Sequence, residues 1–117
     1  MLIAFIIKHF ICDFPLQRWE YMYKNKGTYF HAGGLLHAGI HGIITFIIIL
    51  YTQHVIIVSL FFSLLDFLIH YHVDWAKIKI CKKFNLKPEN SEWYWHVLGF
   101  DQMLHYLTYA GIIWLLN

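Results

Sequence analysis

Charge is scarce in this sequence. Asp, Glu, Lys and Arg make up 14% of its 117 residues, while 59% are hydrophobic and 20% aromatic; ordinary soluble domains carry about 25% charged residues. A water-soluble monomer is not expected from such a balance, and neither is disorder, because so much apolar and aromatic surface has to be buried. The two cysteines, Cys12 and Cys81, are too few and too far apart for a disulfide framework or a zinc ribbon, and a buried Cys is ordinarily a small hydrophobe. Of the two prolines, Pro15 ends or kinks the first helix at Phe14, and Pro88 belongs to a turn-rich loop, Asn85 to Glu92. There is no serine-nucleophile motif, phosphate-cradling loop, CxxCH haem attachment or internal repeat. The basic residues lie in loops without a recognition motif, so no nucleic-acid partner is expected. The length allows one domain at most, residues 1–117.

What is present is apolar and distributed in long runs. Four stretches are candidates for membrane helices, about 1–16, 34–51, 55–76 and 94–116, a span needing about 20 residues. No small-residue cleavage site follows the first, so it reads as a span and not as a signal peptide. The connections are unequal in charge. Arg18, Lys24 and Lys26 lie in the first and Lys77, Lys79, Lys82, Lys83 and Lys87 in the third, whereas Thr52 to His54 has no Lys or Arg. The positive-inside rule then places both basic connections in the cytoplasm and both termini outside, in a multi-pass protein of the inner (cytoplasmic) membrane. The expected fold class is all-α: a polytopic four-helix transmembrane bundle with a polar His/Asp interior. Trp19, Tyr21, Tyr23, Trp75, Trp93, Tyr94 and Trp95 fall mainly at span ends, as a headgroup belt does. Gly33, Gly34, Gly39 and Gly42 suggest close helix packing.

Ionisable side chains inside a span cost about 2.5–3.5 kcal/mol each when charged, so their presence demands a reason. Here they recur at a fixed spacing: His9 and Asp13; His37 and His41; Asp66, His70 and Asp74; Asp101 and His105. Steps of four turn about 40° around a helix, so each set lies on one face. Counted inward from the basic connections, Asp13, His37 and Asp74 lie about one turn deep, and His9, His41, His70 and Asp101 about two, with Asp66 and His105 deepest. Antiparallel neighbours at matching depth are what a shared interior site requires. An isolated intramembrane His or Asp is more often an interhelical hydrogen-bonding residue; four coincident sets favour a functional centre. His31, His54, His72 and His96 break the spacing and are expected outside it.

Imidazole plus carboxylate without thiolate suits a divalent transition metal, namely zinc, manganese or iron. The candidate ligands are His9, Asp13, His37, His41, His70, Asp74, Asp101 and His105, more than one ion takes, so two ions or a set of supporting partners is implied. Asp74, His70 and Asp101 are the catalytic candidates, and Gln17, Asp66 and Gln102 the substrate-contacting or ligand-orienting ones. Such a centre could activate water against a lipid-linked or amphiphilic substrate at the cytoplasmic leaflet. An ion- or proton-handling protein is the first alternative. Against it, Thr45 to Leu50 and Val55 to Leu65 offer almost no polar path. A non-haem di-iron oxidase is the second, on the HxxxH pair His37 and His41; the further histidine boxes of such enzymes are missing. A homo-oligomer could complete the enclosure of so short a chain.

The ordered strings His9-Phe10-Ile11-Cys12-Asp13-Phe14-Pro15-Leu16-Gln17, Leu36-His37-Ala38-Gly39-Ile40-His41-Gly42, His70-Tyr71-His72-Val73-Asp74-Trp75-Ala76-Lys77 and Asp101-Gln102-Met103-Leu104-His105 resemble the motifs of a family of small bacterial and phage membrane proteins, domain of unknown function 3307. The similarity covers nearly the whole chain. It implies a compact multi-span protein whose polar residues are its signature, and it supplies no activity. In the style of the His and Asp motifs alone, the chain is also similar to bacterial inner-membrane proteins described as metal-dependent hydrolases, which implies a reaction class without catalytic assignments.

Overall fold

The computed structural model describes all 117 residues, the side chain of Gln17 excepted. Among the described residues every regular element is helical: α1 (Leu2–Asp13), a 3-10 turn (Leu16–Arg18), the short α2 (Glu20–Tyr23), α3 (Ala32–Gln53), α4 (Ile56–Lys83) and α5 (Glu92–Leu116). Helix α1 stops at Asp13, two residues before Pro15. Phe14 itself stays in the right-handed α region (φ -110°, ψ -69°) with its N–H on the Phe10 carbonyl, and it is the N–H that Pro15 lacks that ends the ladder. At the start of α3 the His31 ring caps the helix, its Nδ1 accepting from the Gly33 N–H at 3.0 Å. The same helix ends at His54 in the left-handed region (φ 57°), whose N–H reaches the Leu50 carbonyl and turns the chain tightly into α4. Helix α4 runs to Lys83, seven residues beyond the expected limit at Ala76. Apolarity marks where a lipid-facing segment would stop, not where the hydrogen-bond ladder stops, and Lys82 and Lys83 in the last turn suit the negative end of the helix dipole.

Helices α3 and α4 form the principal packed pair, α5 lies against α4, and α1 touches both α3 and α5. Gly42 permits the close approach of α3 to α4, since a Cβ there would stand 3.2 Å from both the Ser63 carbonyl oxygen and the Phe67 Cβ. Gly33 is needed in the same sense against the Tyr21 carbonyl. Gly39 is not: nothing lies within 4 Å of a Cβ built on it, so the packing expectation fails at that position.

The burial pattern is inverted relative to a soluble bundle. An apolar core exists at one end only, where Phe5, Ile49, Phe62, Tyr109 and Ile112 meet. Along the remainder, most buried side chains are polar, among them Lys8, His9, His37, His41, Thr45, Asp66, His70, Asp74, Asp101 and His105, with Cys12, Met22, Ala38 and Tyr71 as buried apolar neighbours. Large apolar residues face outward instead, with Ile3 73%, Ile57 72% and Trp114 77% exposed. Two helices, α3 and α4, are long and apolar enough to cross a membrane. Helix α1, at 12 residues, falls short on length, reaching about 18 Å. Helix α5 has the length, but its Trp, Tyr, His and Gln residues dilute its apolarity.

Candidate functional site

The stripes spaced by four converge on the interior next to the apolar end core. Asp13 Oδ1 faces His41 Nε2 at 3.1 Å, His37 Nε2 at 3.2 Å and His70 Nε2 at 3.8 Å. His37 Nε2 and His70 Nε2 lie 3.1 Å apart. One donor atom from each of Asp13, His37, His41 and His70 falls within 4.8 Å of all the others, and the same holds for His70, Asp74 and His105. Donors bound to a tetrahedral zinc at about 2.0–2.1 Å stand about 3.3 Å from one another, close to the spacing here. The rings are stacked tightly, His41 on His70 with centroids 3.6 Å apart and His70 on His105 at 4.1 Å. The space between the stripes is filled by the imidazoles themselves.

Around these donors lies a layer that fixes their orientation. The Tyr109 hydroxyl bonds His9 Nδ1 at 2.9 Å, and His9 Nε2 donates to Gln102 Oε1 at 2.9 Å. The Gln102 amide in turn donates to Asp101 Oδ2 at 3.1 Å. With both nitrogens engaged, His9 stands outside the two converging groups and touches Asp13 Oδ2 at 3.2 Å. Asp101 is also outside them. Its Oδ1 and His105 Nε2 are buried without a hydrogen-bond partner among the described residues, 3.6 Å apart, a separation that leaves both atoms able to bind a further group. Asp66 is elsewhere. It bonds Lys8 Nζ at 2.5 Å and the Thr45 hydroxyl at 2.6 Å, so it neutralises a buried ammonium one layer closer to the apolar end. Gln17 lies outside the described side chains.

Lys26 descends from the segment before α3 and places Nζ 2.6 Å from Asp74 Oδ2. Asp13, Asp66, Asp74 and Asp101 thus share the interior with two ammonium groups, Lys8 and Lys26. The donor set of Asp13, His37, His41 and His70 could hold a metal ion.

The family described as "Protein of unknown function (DUF3307)" matches residues 1–116. The chain belongs to that family. No curated protein and no solved structure matches it. In this DUF3307 chain the matched segment takes in every helix and all the residues of the cluster.

The remaining histidines fall away from the cluster. His31 caps α3 and His54 ends it. His72, on the exposed side of α4, bonds the Leu68 carbonyl at 2.7 Å and the Tyr29 hydroxyl at 3.0 Å, and His96 packs on Trp93. Sequence reasoning missed Thr45, Tyr109, Lys8 and Lys26. Thr45 and Tyr109 were within reach, because each is the next step of four after His37 and His41 or after Asp101 and His105. Lys8 carried a signal as well, since an ammonium in an apolar run demands a partner. Lys26 carried none, its position depending on the path of an irregular segment.

Proposed function

We propose that the protein is a membrane-embedded, metal-dependent hydrolase acting on a lipid-linked or amphiphilic substrate at the cytoplasmic leaflet. The observation that carries this reading is the convergence of three imidazole Nε2 atoms on one Asp13 oxygen at 3.1–3.8 Å. In this reading α1 and α5 cross the membrane beside α3 and α4, with both termini outside. The support is that α1, α3, α4 and α5 each bury ionisable side chains while exposing large apolar ones. A metal held by Asp13, His37, His41 and His70 would supply an activated water and charge stabilisation. The chain's own contribution is orientation: Gln102 and Tyr109 fix the His9 ring, His9 holds Asp13, and Asp101, steadied by Gln102, faces His105 with a free oxygen suited to moving a proton. Conduction is less well supported, because Phe5, Ile49, Phe62, Tyr109 and Ile112 close the interior at one end.

The test is metal analysis of the full-length protein purified in detergent, with thermal melting before and after addition of zinc, manganese or iron. Stoichiometric metal is expected, with a melting temperature raised by the preferred ion; a ligand at about 100 times its Kd stabilises by about 2.7 kcal/mol. His70→Ala and Asp13→Asn should abolish both effects, and His72→Ala should abolish neither. Wild-type protein that neither contains nor responds to any of these ions would remove the basis for a hydrolase.

A further inference from the structure

A cleft of about 520 Å³ opens beside the cluster at its basic end. Lys26, Lys77, Lys82 and Lys87 line it, drawn from the segment before α3, the last turns of α4 and the loop after it. Its acidic wall residue is Asp74, whose carboxylate is paired with Lys26. Lys77, Lys82 and Lys87 pair with no carboxylate among the described residues. The positive-inside rule accounts for lysines in this part of the chain, but not for three separate segments aiming them into one cleft at the door of a His/Asp centre. Three unpaired ammonium groups suit a ligand with more than one negative charge, which a phosphate monoester or diphosphate has and a carboxylate lacks.

Adjoining the cleft is an apolar groove of about 240 Å³ between α4 and α5, walled by Val73, Ala76, Ile80, Val97, Phe100 and Leu104. Lys77 belongs to both spaces, and Asp101 of the cluster lines the groove. Phe100 is 58% exposed, so the groove lies on the outward apolar face. A charged compartment and an apolar one thus meet at Lys77, each next to one carboxylate of the cluster.

We propose that cleft and groove are the two halves of one binding site for a long-chain phosphate ester, its phosphate among Lys77, Lys82 and Lys87 and its hydrocarbon chain between α4 and α5. The binding stands on these two compartments; the chemistry rests on the hydrolase reading above. Together they make the scissile bond a phosphoester. Water adds to phosphorus, the P–O bond to the lipid alcohol breaks with its electron pair going to the alcohol oxygen, and a water proton ends on that oxygen. The products are inorganic phosphate and the free long-chain alcohol, and no oxidant or reductant is involved.

The experiment is calorimetric binding to the full-length protein in maltoside micelles, with dodecyl phosphate, inorganic phosphate and dodecanoate as probes. Dodecyl phosphate should bind at least about tenfold more tightly than either of the others, a tenfold change being about 1.4 kcal/mol. Lys77→Ala combined with Lys82→Ala should weaken both phosphate probes at least about tenfold, whereas Lys79→Ala, whose ammonium lies over the Trp75 ring, should weaken neither. Ala76→Phe and Val97→Trp, each checked for unchanged helicity, should remove the advantage of the dodecyl chain and leave inorganic phosphate binding as it was. Equal binding of the two phosphate probes would reduce the site to a free-phosphate site and overturn the proposal. Dodecanoate binding as tightly as dodecyl phosphate, or lysine variants binding like wild type, would overturn it too. Metal content measured on the same preparations separates the two readings. Lysine-dependent dodecyl phosphate binding in a protein without metal would uphold this site and sink the hydrolase; bound metal without such binding would sink this site alone.

Discussion

Lys8 shows what a single residue has to satisfy in this interior. It is 3% exposed, bonds Asp66 at 2.5 Å and Thr45 at 2.8 Å, and lies 4.6 Å from the centre of the Tyr109 ring. Removing one member of such a pair leaves an uncompensated buried charge, at about 3–5 kcal/mol, whereas replacing both members by apolar groups is often close to neutral. Lys8→Met should therefore destabilise the protein by about 3–5 kcal/mol, and Lys8→Met with Asp66→Leu should recover most of that loss. Unfolding of the single and double variants in mixed micelles measures both. A double variant as unstable as the single one would mean that Lys8 acts through contacts other than Asp66. The same pair marks how far single residues could be read from sequence. The steps of four that located His37, His41, His70, Asp74 and His105 follow from helix geometry alone, so the stripes were legible. Which carboxylate faces Lys8 and which faces the imidazoles depends on how the helices are rotated and offset against one another, and no single stripe encodes that. Asp66 shares its stripe with His70 and Asp74 and nonetheless serves a different partner.

At the level of elements, α3 and α4 carry the architecture, and their separation is set where Gly42 passes Ser63 and Phe67. Adding side-chain bulk there meets backbone, which cannot move without displacing α4; overpacking of this kind costs about 1–3 kcal/mol. Gly39 lies less than one turn earlier with open space beside it. Gly42→Val should thus destabilise by about 1–3 kcal/mol, while Gly39→Ala should stabilise by about 0.5–1 kcal/mol through lost backbone freedom in the unfolded chain. Equal effects at the two positions, read from the same unfolding assay, would refute Gly42 as the point of closest approach. The sequence put glycines on this helix but could not tell these two apart, because the distinction lies in what the facing helix presents. Element ends divide in a similar way. The stop of α1 was readable from Pro15, which has no N–H to continue the hydrogen-bond ladder. The extension of α4 to Lys83 and the short α2 were hidden, since both lie where the apolar signal has already ended.

For the molecule as a whole, the governing feature is that its outward surface is apolar while its interior is ionisable. The long axis extends 47 Å, matching the roughly 40–45 Å of a bilayer with its headgroup regions. Along that axis the apolar core, which includes Phe5 near the start of α1, Ile49 near the end of α3 and Ile112 near the end of α5, marks one end. The lysine-lined cleft marks the other. Eight Lys and Arg residues fall between Arg18 and Lys87, all in the two regions nearest the cleft, and the turn from α3 to α4 has none. Basic residues flanking spans are retained in the cytoplasm, so the cleft should face inward and the turn at Gln53 outward, with both chain ends on the Gln53 side. Cysteines introduced one at a time as Gln53→Cys, Asn85→Cys and Asn117→Cys, in a background carrying Cys12→Ser and Cys81→Ala, report this directly in intact cells. A membrane-impermeant maleimide should label the variants at positions 53 and 117 from outside and the variant at 85 only after the membrane is opened. Labelling of 53 and 85 from the same side would mean that the chain does not cross between them. The polar cluster would then need another explanation for its burial, since the apolar outer surface would have no lipid to face.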